Sequence, residues 1–130
     1  MGFFNTKNFL TYGGWVLVLV GILGFFLIGP TADKSIFGSS WWFDGAENWA
    51  HLVLGVVALL LVYLVKNEGL NKWVTILVGI FALIATIAGF MNANFLGANL
   101  ENPLDNVLHL VVGLWALASG FSKGSTSMQA

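Results

Sequence analysis

Residues 73–91 have the sequence WVTILVGIFALIATIAGFM, which contains no charged side chain. A membrane-spanning helix needs about 20 mostly apolar residues, and this segment meets that requirement. Three further segments have the same character, so four transmembrane helices are predicted at residues 12–28, 49–65, 73–91 and 104–121. The expected fold class is therefore an all-α integral membrane protein.

The composition of the whole chain agrees with this expectation. Hydrophobic residues make up 58% of the chain and charged residues 8%, and the mean hydropathy is +0.86. These values lie far on the apolar side of ordinary soluble domains, so the lipid bilayer is the expected environment. A net charge of −1 indicates no nucleic-acid partner, and the lack of cysteine excludes disulfide scaffolds and thiol nucleophiles.

An internal repeat organises these helices. Residues 15–22 match residues 73–80 at a spacing of 58, and residues 47–55 match residues 105–113 at the same spacing. The second match pairs an acid, an asparagine, a histidine and a glycine with their counterparts, which apolar sequence rarely does by chance. We therefore expect two tandem helical hairpins, repeat 1 at about 12–66 and repeat 2 at about 70–121, followed by a polar tail at 122–130.

Two hairpins inserted in the same direction are related by a pseudo-two-fold axis along the membrane normal. Because lipid provides no hydrophobic drive for helix association, the helices should pack through small residues into a four-helix bundle. The candidate small residues are Gly21, Gly24, Gly55, Gly79 and Gly113.

Lysine placement predicts the orientation of the bundle, since positive residues near helix ends tend to stay in the cytoplasm. Lys7, Lys66, Lys72 and Lys123 fall on the side of both termini, whereas Lys34 falls on the other side. Both termini should therefore be cytoplasmic. The first outer loop, residues 30–45, contains Trp41-Trp42-Phe43. We expect this loop to lie in the membrane interface as an aromatic anchor, with contact to a partner as the alternative.

The two histidines of the chain occupy equivalent positions, about one turn into the membrane on the second helix of each repeat. Ionisable groups at this depth are costly and are candidates for function. An acid lies four residues before each histidine, an asparagine three before it, and a glycine four after it, so each set shares one helix face. We call the two sets the outer clusters: Glu47, Asn48, His51 and Gly55 in the first repeat, and Asp105, Asn106, His109 and Gly113 in the second.

Tetrapyrrole binding is one interpretation of the outer clusters. His51 and His109 would ligate the metal of a haem or chlorophyll, while a hydrogen bond to the other ring nitrogen would orient each imidazole. The remaining cofactor-binding residues in this interpretation are Asn48, Asn106, Gly55 and Gly113, the glycines making room for the flat ring.

Other interpretations remain open. A divalent metal could be held by Glu47, His51, Asp105 and His109, or the histidines could serve a proton relay or an interhelical hydrogen bond. The acids have a structural explanation too, because Asp44 with Glu47, and Asn102 with Asp105, have the spacing of helix N-caps, and Pro103 suits a helix start.

No enzymatic site is predicted. The chain has no cysteine, no arginine and no Gly-rich phosphate loop, and no serine or threonine lies within helical reach of either histidine. The expected function is that of a non-enzymatic accessory or scaffold subunit of a larger membrane complex, holding a tetrapyrrole or lipid through the two histidines. An independent small transporter, or a metal- or proton-binding module, is the alternative.

These motifs resemble those of small bacterial four-helix membrane proteins that form a family of unknown function. The likeness rests on residues 24–30, on residues 48–55 and on Asp105-Asn106-Val107-Leu108-His109-Leu110-Val111-Val112-Gly113, and it covers residues 15–120. It implies a bacterial inner membrane or a specialised internal membrane, and it lends no activity.

Overall fold

The computed structural model describes residues 4–92, 94–100 and 103–122, which fold as an all-helical bundle. Its helices are α1 (Thr6–Phe26), α2 (Gly45–Leu60), α3 (Glu68–Met91) and α4 (Leu104–Gly120), and α2 continues into one π-helical turn at Leu61–Val65. Of the predicted features, Asn102, Lys123 and most of the polar tail lie outside the described residues.

Side-chain caps fix the starts of three helices. Asn5 accepts a hydrogen bond from the Asn8 backbone at the start of α1, and Asn67 does the same for Leu70 at the start of α3. Asp44 and Glu47 form a reciprocal capping box on α2, which confirms the capping spacing predicted for that pair. Pro103 precedes α4 without a side-chain cap.

Three helical segments, Thr6–Phe26, Gly45–Val65 and Glu68–Met91, are long and apolar enough to cross a membrane. Helix α4 is equally apolar in character but has 17 residues, which corresponds to roughly 25 Å of helix. Large apolar side chains cover the outside of the bundle, among them Trp15, Trp49 and Trp73, which are 56%, 60% and 62% exposed. The outer surface therefore suits contact with a lipid bilayer.

Helix α1 packs along α2, and α3 packs along α4, so the chain forms two consecutive helical hairpins. Close approach of glycines brings the paired helices together: a Cβ atom on Gly55 would lie 2.8 Å from the Gly14 carbonyl oxygen, and one on Gly113 would lie 3.2 Å from that of Gly79. The hairpins meet at a buried apolar cluster of Phe9, Leu10, Ala58, Val62 and Ala116, against which Trp115 packs. Trp115 is therefore partly buried, with its ring edge-on to that of Phe9 and the ring centroids 4.7 Å apart.

The glycine contacts within the two hairpins are equivalent, but the spacing in sequence between equivalent residues of α1 and α3 differs from the predicted spacing of 58. Gly14 and Gly24 in α1 make the contacts that Gly79 and Gly89 make in α3, a spacing of 65 residues. The spacing of 58 holds for α2 and α4, where Asn48 corresponds to Asn106. The alignment of residues 15–22 with residues 73–80 was therefore wrong as a guide to packing, by about two helical turns. The longer first outer loop accounts for the difference.

Both outer loops are folded against the bundle. The first contains two short 3₁₀ turns, at Ala32–Lys34 and Gly38–Ser40. Two backbone hydrogen bonds close it, from the Ile36 N–H to the Leu27 carbonyl and from the Phe43 N–H to the Ile28 carbonyl. The second contains a small antiparallel hairpin of β1 (Asn94–Phe95) and β2 (Ala98–Asn99). These loops position the residues that close the outer end of the bundle.

Candidate functional site

The structure brings the two outer clusters together at one end of the bundle. The Trp41 indole Nε1 donates to Oδ1 of Asp105 at 2.8 Å, and the Asn99 backbone N–H donates to Oδ2 of Asp44 at 2.7 Å. Trp41 and Asp44 belong to the first hairpin, whereas Asn99 and Asp105 belong to the second. Each outer loop therefore extends to the other hairpin and forms a hydrogen bond with it.

The histidine rings of the outer clusters lie half-buried beneath these loops. Phe43 packs edge-on against the His51 ring, with centroids 5.5 Å apart, and also against Trp41, which donates to Asp105 one turn before His109. In both rings Nδ1 is buried and makes no hydrogen bond of ordinary geometry in the described part of the chain; the Asp105 backbone carbonyl is the nearest acceptor for His109. The rings are thus held by packing more than by hydrogen bonds.

The two asparagines of the clusters are completely buried, at 0% exposure. Their side chains fill the space left by glycines, because a Cβ atom on Gly24 would overlap the Asn48 amide and one on Gly89 would overlap the Asn106 amide. Asn48 donates from Nδ2 to the Phe43 carbonyl at 3.5 Å, but its Oδ1 has no partner among the described residues, and neither amide atom of Asn106 has one. A buried polar group without a partner costs about 1–3 kcal/mol.

The surroundings of the histidines differ from those of a tetrapyrrole ligand. Ligating imidazoles usually donate their second ring nitrogen to a carboxylate or carbonyl; among the described residues His51 Nδ1 has no such acceptor, whereas His109 has only the Asp105 backbone carbonyl, with poor geometry. Gly55 and Gly113, which were predicted to make room for the macrocycle, contact the neighbouring helix instead. This placement favours their helix-packing role over the cofactor-binding role.

The acidic residues of the two clusters form different hydrogen bonds. Glu47 completes the capping box of α2, whereas Asp105 accepts the indole of Trp41. Across residues 4–92, 94–100 and 103–122, no group of three or more His, Asp or Glu side chains could hold a metal ion. The metal site of Glu47, His51, Asp105 and His109 gains no support from this arrangement and stays a prediction.

Sequence reasoning missed Trp41 and Asn99 as parts of this site. Trp41 carries a signal, because an indole N–H in an apolar loop needs an acceptor, but the predicted interfacial anchor names no acceptor for it. Asn99 acts through its backbone N–H, which no side-chain pattern reveals.

A second buried polar layer lies toward the other end of the bundle, formed by Thr6, Asn71, Thr75 and Ser119. Thr86, which bonds the Ala82 carbonyl, is the polar residue of α3 nearest the outer clusters. Eleven helical positions separate Thr86 from Thr75, or roughly 16 Å. Buried small residues, Gly79, Ala82 and Ala85, occupy this interval in α3. Within the described residues the two polar layers are therefore not continuous.

No protein-family model matches this chain, and no curated protein or solved structure is significantly similar to it. The resemblance to small bacterial four-helix membrane proteins accordingly stays a prediction, and the candidate site is argued from its geometry alone.

Trp41→Phe is expected to lower the free energy of unfolding by about 1–2 kcal/mol, because it removes the donor to Asp105, a carboxylate that is only 2% exposed. Thermal unfolding in detergent, followed by circular dichroism, measures the change. Trp42→Phe is the matched control in the same loop and should have a much smaller effect. Equal effects of the two substitutions would show that the hydrogen bond to Asp105 adds nothing to stability.

Proposed function

We propose that this chain is a four-span integral membrane protein and a non-enzymatic accessory subunit of a larger membrane assembly, which it contacts through its outer end. The carrying observation is that two buried asparagines and two half-buried histidines converge beneath the crossed outer loops, with hydrogen-bonding atoms that have no partner of ordinary geometry among the described residues. Such groups persist in folded proteins at a cost to stability, and a functional role is one of the explanations for them.

The membrane part of the proposal is supported by the apolar exterior and by the three long apolar helices. Helix α4 serves as the fourth span, because its 17 residues reach the lower end of the range of about 17–25 residues found in membrane helices. With four spans, the lysine-rich end that contains Lys7 and Lys66 is cytoplasmic, and the outer clusters face the opposite compartment.

Binding is better supported than transport. A transport route needs polar groups or water along its length, and the interval of roughly 16 Å between Thr86 and Thr75 is packed with buried small residues. The polar groups at the outer end therefore suit a site that holds something at the surface of the bundle. We infer a segment of a partner membrane subunit that offers hydrogen-bond donors and acceptors to His51 and His109.

The experiment is gentle purification of the tagged chain from its native membrane, comparing wild type with His51→Ala and His109→Ala. We expect larger subunits to copurify with wild type in fixed proportion and to be lost from both variants, while circular dichroism shows unchanged helix content. Lys34→Ala is the control, because this lysine is exposed in the first outer loop and belongs to neither cluster. A wild-type protein that purifies alone, or variants that keep every partner, would contradict the proposal.

A second candidate is a small metal- or proton-binding module, including a tetrapyrrole-binding one. The placement of His51 and the Asp105–His109 turn beneath the same crossed loops favours it. An absorption spectrum and a metal analysis of the same preparations separate the candidates. Soret or red bands, or one bound zinc per chain, that vanish in both histidine variants would favour the second candidate over the scaffold.

A further inference from the structure

A cleft lined by charged and apolar side chains lies at the end of the bundle opposite the outer clusters. It has a volume of about 330 Å³ and is lined by Lys7, Val62, Tyr63, Lys66, Glu68 and Asn71. Lys7 comes from the first turn of α1, Lys66 from the turn after the π-helical segment, and Glu68 and Asn71 from the start of α3. The cleft is thus formed where two helix N-termini meet the cytoplasmic connection between the hairpins.

The cleft is suited to an anion. Two lysines stand against one carboxylate, which leaves one positive charge in excess, and the N-terminal ends of α1 and α3 add the positive ends of their dipoles. Lys66 is held in place by its backbone, since its φ of 56° lies in the left-handed region and its N–H donates to the Leu61 carbonyl at 2.9 Å.

Asn71 provides a second, independent observation. Asn71 lines the cleft and is only 2% exposed, yet its side-chain Oδ1 has no hydrogen-bond partner in the described part of the chain. A buried carbonyl oxygen needs a donor, and an ionised phosphodiester has no O–H to provide one. The ligand that fits therefore carries hydroxyl donors together with one negative charge.

We propose that this cleft binds the headgroup of a phosphatidylglycerol-type lipid. Lys7 and Lys66 hold the phosphodiester, and Asn71 Oδ1 and the Glu68 carboxylate accept hydrogen bonds from the glycerol hydroxyls. The excess of one positive charge matches the single negative charge of this headgroup. Tyr63 and Leu64, which are 49% and 72% exposed beside the cleft, offer apolar surface to the acyl chains. The inference rests on the proposed membrane insertion and is independent of any partner at the outer end.

The test is native mass spectrometry of the full-length protein released from vesicles of phosphatidylcholine mixed with either phosphatidylglycerol or phosphatidylethanolamine. We expect one phosphatidylglycerol retained per chain, with affinity reduced about tenfold or more in Lys7→Gln and Lys66→Gly. Lys66→Gly removes the charge at a position whose left-handed backbone favours glycine, so the fold should be kept. Lys72→Gln is the matched control, because this lysine lies near the start of α3, at the same end of the bundle, and does not line the cleft.

Three results would overturn the proposal. These are equal retention of phosphatidylcholine or phosphatidylethanolamine, equal loss in Lys72→Gln and the cleft variants, and displacement of the lipid by an excess of inorganic phosphate, which would assign the cleft to a free anion. Loss of partner subunits is not measured in this experiment. Its failure is therefore distinguishable from failure of the proposed function.

Discussion

Gly55→Ala is expected to lower the free energy of unfolding by about 2–3 kcal/mol, because it inserts a methyl group where α1 and α2 touch. The new Cβ would lie 2.8 Å from the Gly14 carbonyl oxygen and 2.8 Å from the Val18 backbone nitrogen. Both neighbours are backbone atoms, so no side-chain rotation relieves the contact and the helices must separate. Thermal or denaturant unfolding of the detergent-solubilised protein, followed by circular dichroism, measures the loss.

Gly13→Ala is the matched control, since the same methyl group there would meet nothing within 4 Å. Alanine is the better helix former by about 1 kcal/mol, so this variant should be as stable as wild type or more stable. If Gly55→Ala proved as stable as Gly13→Ala, the close approach of α1 and α2 at Gly55 would be wrong.

The helices were predictable because hydropathy is a local property, and the errors lie at their polar first turns. The apolar segments were predicted to start at residues 12, 49 and 73, whereas the helices begin at Thr6, Gly45 and Glu68. Caps from Asn5, Asp44 and Asn67 extend each helix outward into polar sequence. A hydropathy window excludes these polar first turns, although they belong to the same helices as the apolar residues that follow.

The outer clusters were predictable for a similar reason. Helical spacing alone places Asn48 beside His51, and Asn106 beside His109, on one face. Their meeting at one end of the bundle was not predictable, since it depends on the contact between Trp41 and Asp105, which are 64 residues apart in sequence. Local periodicity carries no information about which loop crosses to which helix.

The spacing of the first helices shows where sequence identity misleads. In strongly apolar helices, matches of Val, Leu and Ile arise from composition, and they favoured a spacing of 58. The contacts instead show that Gly14 in α1 is equivalent to Gly79 in α3, and Gly24 to Gly89. Glycines at helix contacts are constrained by the distance between backbones, so in this chain they mark structural equivalence better than a longer run of aliphatic identities.

Asn106→Leu is expected to raise the free energy of unfolding by about 1–2 kcal/mol while weakening the proposed partner contact. The amide is 0% exposed and neither of its polar atoms has a described partner. Its burial therefore removes hydrogen bonds to water without replacing them by hydrogen bonds in the protein. Leucine branches at the same carbon and can place its methyl groups in the space over Gly89. Unfolding experiments measure the gain, and copurification from the native membrane measures the loss of partner.

Asn67→Leu makes the same chemical change at an asparagine whose oxygen is used, since Asn67 Oδ1 accepts from the Leu70 backbone N–H at 2.9 Å. Loss of this cap should destabilise the protein by about 1 kcal/mol. Opposite signs for the two variants would show that Asn106 is retained for something other than stability. If Asn106→Leu destabilised the protein as well, its amide would have a structural partner, and the argument for a functional outer end would rest on the histidines alone.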